Sequence, residues 1–233
     1  MPLKDFLLFI DTETTGLPKS WHLPYSAVNN WPHAIQVSWI IYTNKGKKIK
    51  EENCYIKNID CKVSPAAFKV HGITSTFLLQ NGRSQKAILN KLSKDLKMYQ
   101  PMVIGHFIEL DYHVISAGFY REAIPNPLSD LTTFCIMLAS QHLQHNPYHK
   151  FLRLGELYQL LFKKTLANQH NALVDAAATA ECFFELLQTN QIKSFTQPCI
   201  SIQKQPTVTN TFGWVLAVLL LFFSAFLIAC YYD

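Results

Sequence analysis

The chain has 233 residues, of which 49% are apolar and 16% charged, with 8 Gly and 11 Pro. This composition excludes a wholly disordered, collagenous or coiled-coil protein, and the length permits one domain plus an appendage. The formal net charge of +5 fits a polyanionic partner and an ordinary basic enzyme equally well, so charge alone does not identify a function.

Three β-strands are predicted in the first quarter of the chain. Their β-branched and aromatic content indicates strands at residues 5–10, 34–42 and 47–56. Residues 43–46, Thr-Asn-Lys-Gly, form the expected hairpin turn between the second and third strands. The third strand should therefore return alongside the second.

Helices and short strands alternate in the following residues. The clearest helical periodicity lies at residues 85–98, where Ile88, Leu89, Leu92 and Leu96 share one face. Further elements are expected in this order: a strand at residues 102–104, then helices at residues 111–117, 131–140, 152–162 and 173–187. Three strands followed by this alternation predict an α/β fold with a mixed sheet covered by helices.

The last segment of the chain differs in character from the rest. Residues 212–232 form a run of 21 uncharged residues, which at about 1.5 Å per residue covers roughly 31 Å, the thickness of a bilayer's hydrocarbon core. A single transmembrane helix is therefore expected, with a buried core helix as the alternative. The preceding residues, 189–211, are rich in Gln, Thr, Asn and Ser, which is typical of a flexible polar linker.

These features predict a single-pass membrane protein held in a lipid bilayer by a C-terminal anchor. Lys193 and Lys204 precede the span, and only Asp233 carries a side-chain charge after it, so the positive-inside tendency favours a cytoplasmic catalytic domain. The six cysteines show neither metal-binding nor disulfide spacing, which agrees with a reducing compartment.

Two carboxylates follow the first predicted strand, in the order Asp11-Thr12-Glu13. Residues two apart on an extended chain point to the same side, so the two like charges repel each other. A divalent cation such as Mg²⁺ or Mn²⁺ would neutralise them. Because short acidic motifs also occur in ordinary loops, this pair alone does not establish a metal site.

Two further acidic residues stand near predicted helix starts. Asp111 follows the short strand at residues 102–104, and Asp175 begins the last helix five residues after His170. A histidine beside a metal-bound water can accept its proton. Taken singly, each acid is explained equally well as a first-turn residue that interacts with the helix dipole, and the histidine as a surface residue.

The order of these segments resembles a known family. Residues 11–17 (Asp-Thr-Glu-Thr-Thr-Gly-Leu), 105–111 (Gly-His-x₄-Asp) and 170–175 (His-x₄-Asp) are similar to the three motifs of the DnaQ-like, DEDDh-type 3′–5′ exonucleases. Residues 70–74 resemble the family's H-G-I-T turn, and residues 34–38 its second strand. The resemblance implies a ribonuclease-H-like mixed sheet of about five strands flanked by helices, in a domain of residues 1–188.

The resemblance also implies the catalytic residues. Asp11, Glu13, Asp111 and Asp175 are expected to bind two divalent ions, Mg²⁺ or Mn²⁺, and His170 is expected to act as the general base. The tyrosine branch of the family has Tyr four residues before the last Asp. Asn171 occupies that position here, so the sequence predicts the histidine branch.

The expected substrate-binding residues come from the same motifs: Thr14, Thr15, Gly16, Leu17, His71, Ile73, His106 and Phe107. By resemblance, residues 14–17 seat the terminal nucleotide, and His71 and Ile73 lie near its base. Phe107 departs from the family, which usually has Asn there. Its ring offers a face on which a base can stack, or it packs against the protein.

The expected function is metal-dependent hydrolysis of phosphodiester bonds at the 3′ ends of single-stranded DNA, with release of nucleoside 5′-monophosphates. An exoribonuclease or oligoribonuclease is the closest alternative, because nothing in the motifs reads the 2′-hydroxyl. A non-catalytic, membrane-recruited adaptor that binds nucleic acid is an alternative from another class. The sequence does not predict an oligomeric state.

Overall fold

The computed structural model describes residues 3–57, 62–144, 150–192 and 194–195. Most of the expected linker of residues 189–211, and all of the expected transmembrane segment of residues 212–232, lie outside the described residues. Within these described ranges, no helix combines the length and the apolar character that crossing a bilayer requires.

One mixed sheet of five strands organises the fold. The residue patterns predicted a mixed sheet with four of these strands, and the family resemblance implied about five. Its strands in chain order are β1 (Phe6–Thr14), β2 (Ala34–Thr43), β3 (Lys48–Tyr55), β4 (Met102–Gly105) and β5 (Thr133–Cys135). Their spatial order is β3-β2-β1-β4-β5. The β1–β2 and β2–β3 pairs are antiparallel, whereas β1–β4 and β4–β5 are parallel.

The predicted hairpin closes at residues 43–46. The backbone N–H of Thr43 donates to the carbonyl of Lys47 at 2.9 Å, and Gly46 has a φ of +80°. That left-handed conformation favours glycine, so the residue types of the turn explain its position.

Helices cover both faces of the sheet. Those described are α1 (Pro65–His71), α2 (Ser75–Asn81), α3 (Gln85–Tyr99), α4 (Ile108–Arg121), α5 (Ile136–Ala139), α6 (Leu154–Phe162) and α7 (Ala172–Gln188). Side chains of β1 alternate between the two faces. Leu8 and Ile10 enter a core shared with α3 and α4, and Leu7 and Phe9 enter a second core shared with α6 and α7.

Strand β1 is longer than the sequence predicted and carries the first acidic pair inside the sheet. Asp11 pairs with Ser38 of β2, and the parallel ladder with β4 ends at Phe9 opposite Ile104. Asp11 therefore lies just beyond that last parallel pair, at the carboxyl ends of two adjacent strands. In α/β sheets this edge is where ligands bind.

The helix predicted at residues 131–140 is wrong. Residues 133–135 form β5 and pair in parallel with residues 103–105 of β4, and only Ile136–Ala139 is helical. Phe134 becomes 1% exposed in this arrangement. Burial beside β4 therefore outweighs the apolar spacing that favoured a helix.

Short elements surround the H-G-I-T turn, which the sequence identified without its flanking helices. Gly72, with a φ of +67°, ends α1, and Thr74 caps α2 by accepting a hydrogen bond from the N–H of Phe77. At the other end of the domain, Ile192 and Phe195, both within the expected linker, pack against the core beneath α7.

Candidate active site

Three carboxylates from β1 and α7 converge at the carboxyl end of β1. One oxygen from each of Asp11, Glu13 and Asp175 lies within 4.8 Å of the others. Asp11 and Glu13 occupy alternate positions of the strand and so point to the face that α7 covers. Asp175 lies in the first turn of α7. The predicted proximity of these three acids is confirmed.

Asp111 lies on helix α4 and is not among the three carboxylates whose oxygens lie within 4.8 Å of one another, but after burial its charge is the next largest cause of the raised pKa of Asp11. Asp111 is 5% exposed, lies in the first turn of the helix and accepts a hydrogen bond from Thr12 Oγ1 at 2.7 Å. Thr12 points to the opposite face of β1 from its two acidic neighbours. One face of β1 therefore carries Asp11 and Glu13, which are candidate metal ligands. The opposite face carries Thr12, which orients Asp111, another candidate ligand.

The acids strongly perturb one another. Burial, followed by repulsion from the other acids, holds the pKa of Asp11 well above its usual value. Burial and the charge of Asp175 raise the pKa of Glu13 to about 8. Burial raises the pKa of Asp111 to about 7, although hydrogen bonds from Thr12 lower it. Without a cation, the site would therefore retain protons near neutral pH.

His170 is anchored to this group through its backbone. Its N–H donates to Asp175 Oδ2 at 2.9 Å, while its side chain is exposed. The residue has a φ of +64°, a left-handed conformation that is uncommon outside glycine. The bond to Asp175 helps to hold that conformation and keeps the imidazole at the edge of the acidic pocket.

The start of α7 is positioned by polar side chains that sequence analysis missed. Gln36 is fully buried on β2, donates to Asn171 Oδ1 at 3.3 Å and accepts from the N–H of Ala172 at 3.3 Å. Asn171 in turn caps the helix by accepting from the N–H of Leu173. A buried glutamine in an otherwise apolar strand is the signal that could have revealed this role.

The residues after Glu13 turn sharply out of the sheet. Thr14 Oγ1 donates to the carbonyl of Gly16 at 2.6 Å, and Thr15 Oγ1 accepts from the N–H of His33 at 3.0 Å. These bonds fix the loop and leave the Leu17 side chain 71% exposed. Of the four residues expected to seat a nucleotide, Leu17 is thus the one that projects most into solvent.

His71 and Ile73 share a cavity of about 400 Å³ with His170. His71 Nδ1 accepts from the N–H of Ile73 at 3.0 Å, and its Nε2 is buried with no hydrogen-bond partner among the described residues. Burial lowers the pKa of His71, although the backbone of Thr14 lies close enough to raise it. The ring is therefore neutral at pH 7 and lines the cavity beside the candidate base.

His106 and Phe107 lie in different surroundings from each other. His106 is 9% exposed, and burial lowers its pKa to about 4, so Nε2 of the neutral ring donates to the Leu152 carbonyl at 2.9 Å. This ring joins β4 to the segment before α6. Phe107 is half-buried, with its ring centroid 5.8 Å from that of Trp21.

The tryptophan-rich segment after Leu17 is held mainly by internal contacts. Trp31 is 3% exposed, stacks on His113 at a centroid distance of 4.8 Å and donates to the carbonyl of Leu23. Tyr25 Oη lies 2.8 Å from Nδ1 of His113. These two aromatic residues pack against the domain, whereas Trp21 remains partly exposed beside Phe107.

The donor set fits divalent cations. It consists of carboxylate oxygens, which hard ions such as Mg²⁺ and Mn²⁺ prefer. Asp175 Oδ1 is buried and has no hydrogen-bond partner among the described residues, although burying an unpaired carboxylate oxygen is costly. A cation at this oxygen would remove that cost and the repulsion among the acids.

The sequence profile of the exonuclease family (RNase_T) matches residues 8–183 of the chain. The acidic residues that converge at the end of β1 all lie within this span. The chain therefore belongs to the exonuclease family. No curated protein sequence matches the chain.

Solved structures of Escherichia coli exonuclease I share the fold. The complex with a dT13 oligonucleotide is 20% identical, with a TM-score of 0.66 over 81% of this chain and 42% of that chain. The zinc-bound complex with single-stranded DNA is 20% identical, with a TM-score of 0.66 over 81% and 41%. The complex with dA16 is 18% identical, with a TM-score of 0.65 over 81% and 42%. The chain thus matches about two fifths of exonuclease I.

The raised pKa values predict how the metal-free protein responds to pH. A carboxyl group whose pKa rises from 4.5 to about 8 on folding, as in Glu13, stabilises the folded state fully only below the unfolded value. That contribution is lost as pH rises towards 8. Buried histidines with lowered pKa values, such as His106, oppose this trend below about pH 6.5, because only their unfolded forms take up protons there. Thermal melting in a chelator should therefore show a falling melting temperature from about pH 7 to about pH 8.

Glu13→Gln should flatten this dependence, and Mg²⁺ added to the wild-type protein near pH 8 should restore several degrees of melting temperature. The matched control is Asp5→Asn, which alters an exposed acid at the start of β1 and should retain the wild-type profile. A wild-type melting temperature that rises over this range would contradict the electrostatic description of the site.

Proposed function

We propose that this chain is a metal-dependent 3′–5′ exonuclease that releases nucleoside 5′-monophosphates from single-stranded DNA. The observation that carries the proposal is the convergence of Asp11, Glu13 and Asp175 within 4.8 Å, with Asp111 beside them and His170 bonded to Asp175. Membership of the exonuclease family supports it. A site that had lost catalysis would have no need for this set of mutually repelling acids.

The four acids are the residues that would hold two Mg²⁺ or Mn²⁺ ions. Such ions neutralise charge on the phosphate and lower the pKa of an attacking water. Asp11 lies centrally, since its pKa is raised by the charges of Asp111, Asp175 and Glu13 together. We therefore expect that replacing Asp11 would weaken the binding of both ions.

His170 supplies the base in this proposal. Its exposed imidazole can accept the proton of the attacking water, while the bond from its backbone to Asp175 keeps it beside the acids. The ring itself has freedom to approach the water and then to release the proton to solvent. In this proposal the four acids bind the metal ions, and His170 accepts the proton.

The proposed substrate is a single strand with a free 3′ end. The exonuclease I structures with which this chain shares its fold contain dT13, dA16 or other single-stranded DNA. In this chain, the exposed Leu17, the partly exposed Phe107 and the cavity lined by His71 and Ile73 surround the acids with surfaces that can contact a base. An unpaired base can stack on such surfaces, whereas a paired base is less accessible.

Asp11→Asn should abolish metal-dependent digestion of a 5′-labelled strand. The loss should be at least as large as the roughly 10²–10⁴-fold typical of a missing general base, because both ions would lose a ligand. Asp5→Asn, which changes an exposed acid of the same type, should retain activity.

The same assay should compare single-stranded DNA, duplex DNA and RNA, with separation of the products. We expect the fastest digestion on single-stranded DNA and 5′-monophosphate products. Unchanged digestion by Asp11→Asn would contradict the catalytic assignment. Faster digestion of RNA than of DNA would identify an exoribonuclease instead.

His170→Ala should lower kcat by about 10²–10⁴-fold, since the attacking water would lose its proton acceptor. The affinity for Mn²⁺, measured by titration calorimetry, should change little, because the proposed ligands remain. His142→Ala is the control, as His142 is an exposed histidine that bonds to Gln191 away from the acids. Loss of Mn²⁺ binding in His170→Ala would identify His170 as a ligand.

We also propose that residues 212–232 tether the enzyme to a membrane, with the catalytic domain on the cytoplasmic side. The support is the run of 21 uncharged residues in the sequence. Full-length protein should resist extraction from membranes by alkaline carbonate, whereas a chain ending at Thr211 should be extracted. Release of both proteins by carbonate would exclude the tether.

A further inference from the structure

A second cavity, of about 670 Å³, is lined in part by the residues that directly follow strand β1 in the chain. We name it the cationic trough, and define it by its lining residues: Thr15, Gly16, Leu17, Lys19, Tyr25, Ser26, Ala27, Val28, Asn29, Asn30, Trp31, Pro32, His33, Lys62, Ser64, Tyr120 and Arg121. Its first three residues follow the acidic strand β1 almost directly. Along the chain, the trough therefore begins at the residue after β1, the strand that carries Asp11 and Glu13.

The trough carries only one sign of charge. Lys19, Lys62 and Arg121 line it, and no Asp or Glu is among the described residues that do so. His33 also lines the trough. Its pKa is lowered to about 4, mainly by burial and secondly by the charge of Arg121, so the ring is neutral at pH 7. The smaller cavity around His170, by contrast, has neither Lys nor Arg in its described lining.

Hydrogen bonds hold the backbone of both lysine-bearing segments. Near Lys62, the N–H of Ser64 donates to the carbonyl of Thr15 at 2.9 Å. On the other side, Lys19 donates its N–H to the carbonyl of Asn30 at 3.3 Å. Asn30 is 4% exposed, and its side chain bonds both the N–H and the carbonyl of Ser20, each at 2.9 Å.

The three cations have different partners. The Arg121 guanidinium donates to the carbonyls of Trp31 and Pro32, so it holds the wall of the trough. Both lysine side chains are exposed, and neither forms an ion pair with a described residue. Lys19 and Lys62 therefore remain available to a ligand that lies along the trough.

We propose that the cationic trough binds the phosphodiester backbone of the strand on the 5′ side of the bond that is cleaved. This inference rests on the proposed exonuclease function. A strand whose last phosphate lies among the acids must continue away from them, and its next phosphates are repelled by carboxylates and attracted by lysines. The trough provides that positive path directly beside Thr15, Gly16 and Leu17.

Contacts to phosphates release counterions, so they can be counted from the dependence of affinity on salt. For a single strand, each contact contributes about 0.7 to the slope of log affinity against log salt concentration. Binding should be measured in the inactive Asp11→Asn background, with labelled DNA and RNA strands of about 12 nucleotides. Lys19→Gln/Lys62→Gln should lower the slope by about 1.4 with both polymers, because the phosphates are common to them.

The matched control is Lys94→Gln/Lys97→Gln, which removes the same charge from exposed positions on α3. Helix α3 lines neither cavity, so this control should keep the slope of the parent protein. A control slope lowered as much as that of Lys19→Gln/Lys62→Gln would mean that net charge, rather than the trough, sets the salt dependence. A decrease confined to one polymer would contradict a contact made through phosphates.

A second assay separates the trough from the catalytic site. In the active enzyme, Lys19→Gln/Lys62→Gln should raise KM for the long strand several-fold and leave hydrolysis of a dinucleotide unchanged, because a dinucleotide does not extend along the trough. An unchanged salt slope and an unchanged KM for the long strand would contradict the proposed binding of the strand in the trough. Absence of hydrolysis of either substrate by the wild-type protein would instead overturn the proposed function.

Discussion

The burial of mutually repelling carboxylates at the end of β1 is the constraint on which the rest of the site depends. Asp11, Glu13 and Asp175 lie within 4.8 Å of one another, in surroundings that raise the pKa of each. A fold gains nothing in stability from such a cluster unless cations or protons neutralise it. The sheet and the two flanking helices bring the acids together nevertheless, so their arrangement is best explained by the chemistry it permits.

Polar contacts, rather than the apolar core, set the precise geometry of the site. Thr12 orients Asp111 from one face of β1, and Gln36 fixes the start of α7 from β2. The backbone N–H of His170 then donates to Asp175, so the candidate base is held next to a candidate ligand. The surrounding cavities differ in character, since the one beside His170 is uncharged and the one beyond Thr15 is positive. In the proposed function, this asymmetry would give the strand its direction.

The sequence predicted the sheet and the acidic site better than it predicted the parts that join them. Residue patterns predicted four of the five strands, and the order of the motifs, through the family resemblance, predicted the proximity of Asp11, Glu13 and Asp175. The error at residues 131–140 arose because pairing of β5 with β4 is a long-range interaction that local apolar spacing does not encode. The role of Gln36 was missed for a similar reason, since its two partners at the start of α7 are more than 130 residues away in the chain.

The central claim is that these acids hold a pair of divalent cations, and anomalous diffraction from crystals soaked in Mn²⁺ tests it most directly. We predict two manganese peaks at the carboxyl end of β1, with oxygens of Asp11, Glu13, Asp111 and Asp175 at about 2.0–2.6 Å, the range for oxygen ligands of such ions. Well-ordered acids with no manganese peak between them would contradict the account.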